Sequence, residues 1–316
     1  MDTVTSMRTY ARVVELGGLA AAARSLGMSP AMVAKHLGNL EERTGARLLD
    51  RTTRSVRPTV AGQTYYERVV AGLDALDEAE AEAGADTAAP RGRLRLTAPV
   101  EFGQEHLAPL VAEFIELHPN VSVVSDFTNR SVDLVQEGFD LAIRVAASLD
   151  TGLIGRKLAT SRFFIVASPD LVARTGMPET PEALAALPTL SFAFPAPRLD
   201  WGWDGPDQGQ VRIAPRLLSS SAEALRIAAL RGTGFSQLPS FVCGGDLASG
   251  RLVPVMADRD WGHLSIYALY PHRRFVPSRL RLFIDLLADR LARHPEDDPW
   301  SPFPADATVR AKARDT

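Results

Sequence analysis

The chain has 316 residues, 46% of them hydrophobic and 23% charged, and its 35 Lys and Arg against 38 Asp and Glu leave a formal net charge of -3. That length supports a large core or several domains rather than one small module. The single cysteine, Cys243, excludes disulfides within the chain and cysteine zinc clusters, and no apolar run approaches the ~18 residues of a membrane span.

In chain order, the first informative stretch is residues 16–57. An alanine-rich helix is predicted over 19–26, where small side chains let another helix cross closely. Gly27 breaks it, supplying the left-handed backbone that a sharp turn needs. Ser29 suits an N-cap and Pro30 the first helical position, so a second helix is predicted from there through Lys35 and His36 to Glu42. Met32, Val33, Leu37 and Leu40 supply its apolar stripe, leaving Ala31, Ala34, Lys35, Gly38 and Asn39 opposite. Such a slim face can enter a major groove, with Ser29, Pro30, Ala31 and Ala34 close to base edges and Lys35 and His36 reaching phosphate or base acceptors. Arg47, Arg51, Arg54 and Arg57 then recur along a turn-rich segment that reads as a β-hairpin wing, with Arg51 and Arg54 placed for phosphates or the minor groove. A helix pair with a few exposed arginines also occurs in ordinary soluble domains; the order of the parts is what points to double-stranded DNA.

Charge agrees once it is read by region. Nine basic residues face five acidic ones from Met1 to Arg57, a balance of +4, whereas 58–90 carries one arginine and seven acidic residues, a balance of -6. A cationic head on an acidic stalk draws phosphate to one end only. The stalk, from Thr59 to about residue 85, lacks proline and spaces Tyr66, Val69, Leu73, Leu76 and Ala83 as a narrow apolar seam. A helix of that length, about 40 Å, needs a partner helix or its own downstream domain to cover the seam.

Residues 84–92 read as a hinge. Beyond it, strands are predicted at 93–98, 121–125, 141–145, 163–168, 211–218 and 264–270, and helices at 106–118, 131–138, 222–231 and 278–291. The alternation predicts an α/β fold with a mainly parallel sheet. Residues 295–316 read as a loose tail. No Gly-x-Ser-x-Gly elbow, phosphate loop, His-Glu-x-x-His helix or dinucleotide fingerprint is present, and the six histidines are scattered, so no catalytic residue, metal site or cofactor is expected. The Glu105–His106 pair reads as exposed residues at a helix start rather than an acid-base couple. Cys243 reads as a buried structural thiol, with oxidant sensing as the alternative.

The head resembles the winged helix-turn-helix of LysR-type transcriptional regulators, through Gly18-Leu19-Ala20, Ala22-Ala23-Arg24-Ser25-Leu26, Ser29-Pro30-Ala31-Met32-Val33, Leu40-Glu41-Glu42, Gly45-Ala46-Arg47-Leu48-Leu49-Asp50-Arg51 and Thr59-Val60-Ala61-Gly62. Ala34, Lys35 and Val60 stand where that family often carries Ser, Arg and Glu, differences that bear on base preference more than on phosphate anchoring. The remainder resembles the family's effector domain, through Gly92-Arg93-Leu94-Arg95-Leu96-Thr97-Ala98-Pro99, Phe139-Asp140-Leu141-Ala142-Ile143-Arg144 and Leu230-Arg231-Gly232-Thr233-Gly234, and Pro271-His272-Arg273-Arg274 is similar to one large branch.

The resemblance implies a winged helix-turn-helix DNA-binding domain over 1–58 and a linker helix with hinge over 59–90. An effector domain over 91–294 follows, with two lobes of periplasmic-binding-protein type: one about 91–163 and 265–294, the other about 164–264. It implies linker helices pairing into a homodimer that assembles to a tetramer, a pseudo-palindromic operator, a small-molecule effector, RNA polymerase as a further candidate partner and a cytoplasmic location. A secreted solute receptor shares the lobed architecture but needs a signal peptide, which the N-terminus lacks. A cleft at the carboxyl ends of strands, ringed by helix N-termini, favours an organic anion. By position Thr97, Asn129, Arg144, Ser220 and Ser221 are its expected polar contacts and Phe235 its apolar wall. The plainer alternatives are a capping role for Thr97 and Ser221 and internal pairing for Arg144.

Overall fold

A computed structural model describes residues 2–51, 56–83, 89–149, 153–193, 196–271 and 276–304. Arg54, residues 84–88 of the predicted hinge, the segment His272-Arg273-Arg274 and residues 305–316 lie outside these, as do the side chains of Arg51 and Ala83. Two compact units emerge, residues 1–93 and 94–316.

The first unit opens with α1 (Thr3–Leu16), capped by the Asp2 carboxylate, which accepts from the amides of Val4 and Thr5. Next come α2 (Leu19–Leu26), which ends at Gly27 with φ 62°, and α3 (Pro30–Thr44), whose cap is Ser29 accepting from the Met32 amide at 3.2 Å. The three helices close over Tyr10, Val13, Ala22, Val33, Leu37 and Leu40. Ala22 and Ala23 are buried, as the close crossing requires. Met32, expected in the apolar stripe, is instead 45% exposed. The strands β1 (Leu49–Arg51) and β2 (Val56–Pro58) pair antiparallel as the predicted wing, and α4 (Val60–Ala83) follows as a 24-residue helix about 36 Å long. Val69 and Leu73 of α4 are covered by Ala11 of α1, while Leu76 is 46% exposed.

The second unit runs through β3 (Gly92–Ala98), α5 (Val100–Phe102), a π-helical turn (Gly103–Leu107), α6 (Ala108–Leu117), β4 (Val121–Phe127), β5 (Leu141–Ala146) and β6 (Ile154–Ala167). It continues with α7 (Pro169–Thr175), β7 (Thr189–Phe192), β8 (Asp200–Trp203), β9 (Gly209–Arg212), β10 (Pro215–Ser219) and α8 (Ala222–Leu230). The last elements are β11 (Phe235–Pro239), α9 (Ser240–Ala248), β12 (Val253–Val255), β13 (His263–Tyr270) and α10 (Ser278–Leu291). The main sheet has the order β10-β7-β11-β6-β13-β5-β3-β4, with β12 also on β6.

The long strand β6 belongs to two lobes. Residues 154–162 pair with β13, and 163–166 pair with β11. One lobe packs Leu94, Leu96, Phe114, Ile143, Ile266 and Phe283; the other packs Phe164, Val166, Leu190, Leu225, Leu238 and Cys243.

Three expectations are corrected here. The sheet is mixed rather than mainly parallel, because β6 and β13 run antiparallel to their neighbours through its middle. Residues 131–138 are turns, not a helix: the Asp133 carboxylate takes the amides of Val135 and Gln136, and Gly138 turns away at φ 71°. Residues 295–304 are not loose but packed on the second unit.

Candidate nucleic-acid interface and ligand cavity

The exposed side of α3 gathers Ser29, Pro30, Ala31 and Lys35, with Ala34 half-buried among them. His36 does not join them. Its ring is 6% exposed and its Nδ1 lies 2.9 Å from the Ser6 hydroxyl, because positions 33, 36, 37 and 40 share the inward side of the helix. In the wing, Arg47 and Arg57 are exposed, and Arg47 lies 3.8 Å from Asp50.

The wing is held by its neighbours. A Glu41 oxygen on α3 accepts from the amides of Leu48 and Leu49 at 2.8 and 3.1 Å. Thr59 donates to the Arg47 carbonyl and accepts from the Gly62 amide, so one hydroxyl ties the hairpin to the first turn of α4. A Cβ at Gly62 would run into the Leu48 carbonyl, which gives the Thr-x-x-Gly spacing a steric cause. The Tyr10 hydroxyl donates to the Gly62 carbonyl at 2.8 Å; burial, helped by the charge of Glu41, pushes this phenol up to about 12.

In the second unit a cavity of about 520 Å³ opens between the lobes. One lobe contributes Glu101, Asn129 and Arg144, the other Arg198, Trp201 and Gln237; Phe102, Phe163 and Phe241 form apolar walls. Arg144 is half-buried, and burial, then the like charge of Arg130, lowers its pKa. Arg198 lies over the Phe163 ring at 5.3 Å, and burial lowers its pKa as well. Both stay cationic at neutral pH, and neither forms an ion pair among the described residues. Arg130, also in the lining, is instead clamped by Glu137 at 2.8 and 2.5 Å. Glu101 reaches across the cleft to accept from the Ala222 amide at 3.1 Å, at the positive end of α8.

Of the expected ligand contacts, Asn129 and Arg144 line this cavity, and Asn129 also accepts from the Val100 amide at 3.0 Å. Thr97 and Phe235 do not line it: Thr97 is buried in the sheet, in register with Ala142, and Phe235 packs in the second lobe's tryptophan-rich core. Ser220 and Ser221 also lie outside the lining. The Ser221 hydroxyl instead caps α8 by accepting from the Ala224 amide at 3.2 Å. Sequence reasoning missed Glu101, Arg198 and Trp201, which no motif connects.

A family model described as the LysR substrate binding domain matches residues 87–292, and one described as a bacterial regulatory helix-turn-helix protein of the lysR family matches residues 4–63. An uncharacterised HTH-type transcriptional regulator of Haemophilus influenzae is 32% identical over 281 residues, covering 89% of this chain and 98% of its own length. The structure of CrgA, a LysR-type transcriptional regulator from Neisseria meningitidis, is similar with a TM-score of 0.60 at 32% identity, over 92% of this chain and 99% of that one. Full-length AphB, the Vibrio cholerae virulence activator, is similar with a TM-score of 0.57 at 26% identity, over 92% of this chain and 99% of that one. With both halves matched and the order of parts shared, the chain belongs to the LysR family of helix-turn-helix transcriptional regulators.

Proposed function

We propose that this LysR-type regulator is switched by an organic anion seated between its two lobes. The observation that carries the reading is a pair of arginines, Arg144 from one lobe and Arg198 from the other, facing one largely apolar cavity without a carboxylate partner among the described residues. An anion that engages both sides favours a closed arrangement of the lobes, and it acts as a switch only through its different affinity for the two arrangements. The aromatic walls suit an apolar body behind the anionic group. Ser29, Pro30, Ala31, Ala34 and Lys35 read the major groove while Arg51, Arg54 and Arg57 hold phosphates. The half-exposed Leu76 on α4 supports a linker helix that pairs with a second copy. Two heads on such a dimer match a pseudo-palindromic operator.

The test is a thermal-shift screen of the full chain with organic carboxylates and their neutral amides. Carboxylates are expected to raise the melting temperature and amides not, with the rise lost in Arg144→Ala. Equal stabilisation by the amides would overturn the anion reading.

A further inference from the structure

Residues 294–304 lie past the end of the family match at residue 292, yet they follow a defined path over the second unit. That path crosses β6 at the point where the strand leaves one lobe for the other. The Thr160 amide donates to the Asp297 carbonyl at 2.9 Å, and its hydroxyl donates to the Pro295 carbonyl at 3.0 Å. The Arg162 amide donates to one oxygen of Asp298 at 2.9 Å. The other oxygen accepts from the Ser240 hydroxyl at 2.7 Å and from the amides of Trp300 and Ser301. Asp298 is thus a knot, its side chain 6% exposed, that joins the segment to β6 and to the first turn of α9.

Two residues further on, Trp300 enters the seam between the lobes. Its indole N–H donates to Nδ1 of His106 at 3.2 Å. Because indole can only donate, His106 carries its proton on Nε2, which donates to the Phe241 carbonyl at 2.7 Å. The Trp300 ring lies 5.8 Å from Phe102 and 6.2 Å from Phe241. Phe102 and His106 belong to the first lobe, Phe241 to the second. At the Trp300 backbone, α9 comes so close that a Cβ at Gly244 would collide with the Trp300 carbonyl. Phe102 and Phe241 also form walls of the cavity, so Trp300 supports that cavity from outside.

We propose that residues 294–304 are a brace across the hinge of the effector domain, and that Trp300 is a positioning residue that sets the separation of Phe102 and Phe241. A rotation of one lobe against the other about residues 161–163 must break either the knot at Asp298 or the Trp300–His106 contact, since the segment is attached on both sides of that axis. The brace therefore narrows the range of lobe angles open to the ligand-free chain. Its consequence for effector response rests on the cavity reading above; its existence does not.

The experiment measures lobe separation in the full chain without ligand, by pulsed electron resonance between spin labels on Glu116→Cys in α6 and Ala173→Cys in α7, both exposed, with labelled chain diluted in unlabelled. Cys243 is fully buried and stays unlabelled. A single narrow distance distribution is expected for the native sequence. Trp300→Ala, and independently Gly244→Ala, are expected to at least double its width well below the melting temperature, and Trp300→Phe, which keeps a ring against Phe102 and Phe241, to restore most of the narrowing. Distributions unchanged in Trp300→Ala and Gly244→Ala overturn the brace. Should Trp300→Ala fail to fold, Gly244→Ala decides alone. Because no ligand is present, failure here is separate from failure of the anion screen.

Discussion

Lys35 and His36 are neighbours with opposite duties. Lys35 is exposed on the outward side of α3, whereas His36 is turned into the helical core against Ser6. Lys35→Ala should weaken operator binding with the melting temperature unchanged, lowering the salt slope by about one unit if a phosphate contact is lost. His36→Ala should do the reverse. Removing a buried ring and its hydrogen bond to Ser6, whose hydroxyl keeps the Asp2 carbonyl, costs about 1–3 kcal/mol of stability, while the salt dependence of DNA binding stays as it was. Melting curves and binding at two salt concentrations separate the two. The sequence placed both residues on the groove side because charge and helical position cannot tell which way the ring points when its spacing fits either side. The same ambiguity, reversed, put Met32 in the core.

Among the elements, the wing shows how short-range spacing encodes long-range contact. Thr59 and Gly62 sit three apart at the start of α4, and between them they hold the backbone of Arg47 and admit the Leu48 carbonyl. Gly62→Ala should therefore destabilise the first unit by about 1–3 kcal/mol through overpacking, read as a lower melting temperature, although the residue is helical and alanine favours helices. Such local constraints were legible: the cap at Ser29, the break at Gly27 and the hairpin all act within a few residues, whereas the Asp2 cap of α1 was not read from the sequence. Where a stretch had two local solutions, reading failed. Residues 131–138 carry helical spacing, but the Asp133 carboxylate captures the amides that a helix would have used.

At the scale of the whole molecule, the effector domain is joined by side chains far apart in sequence. His106 accepts from Trp300, 194 residues away. Burial is the main cause that lowers the His106 pKa, the Phe241 carbonyl and Glu105 opposing it. A depressed histidine contributes stability that is fully present above its unfolded value of about 6.5 and is lost as pH falls through the lower folded value. The melting temperature should accordingly drop on acidification from pH 7.5 into that window by more in the native chain than in His106→Gln, with equal drops in both chains refuting the link. Cys243 adds no second sensor of this kind: it is buried, its thiol donates toward the Leu238 and Pro239 carbonyls, and burial pushes it far up.

By itself the sequence determined the order of parts, the turn between α2 and α3, the cationic head and the acidic stalk, because caps, breakers, periodicity and charge act over one or two turns of chain. It also carried enough ordered motif to mark the family. Only the tertiary structure decided which side of the cleft each residue serves. Thr97 and Phe235 were drawn into cores, Arg198 and Glu101 were brought to the cavity, and a Pro- and Asp-rich ending was stitched across β6. Those outcomes depend on strand register and on contacts between residues a hundred or more positions apart, for which a linear pattern carries no local signal.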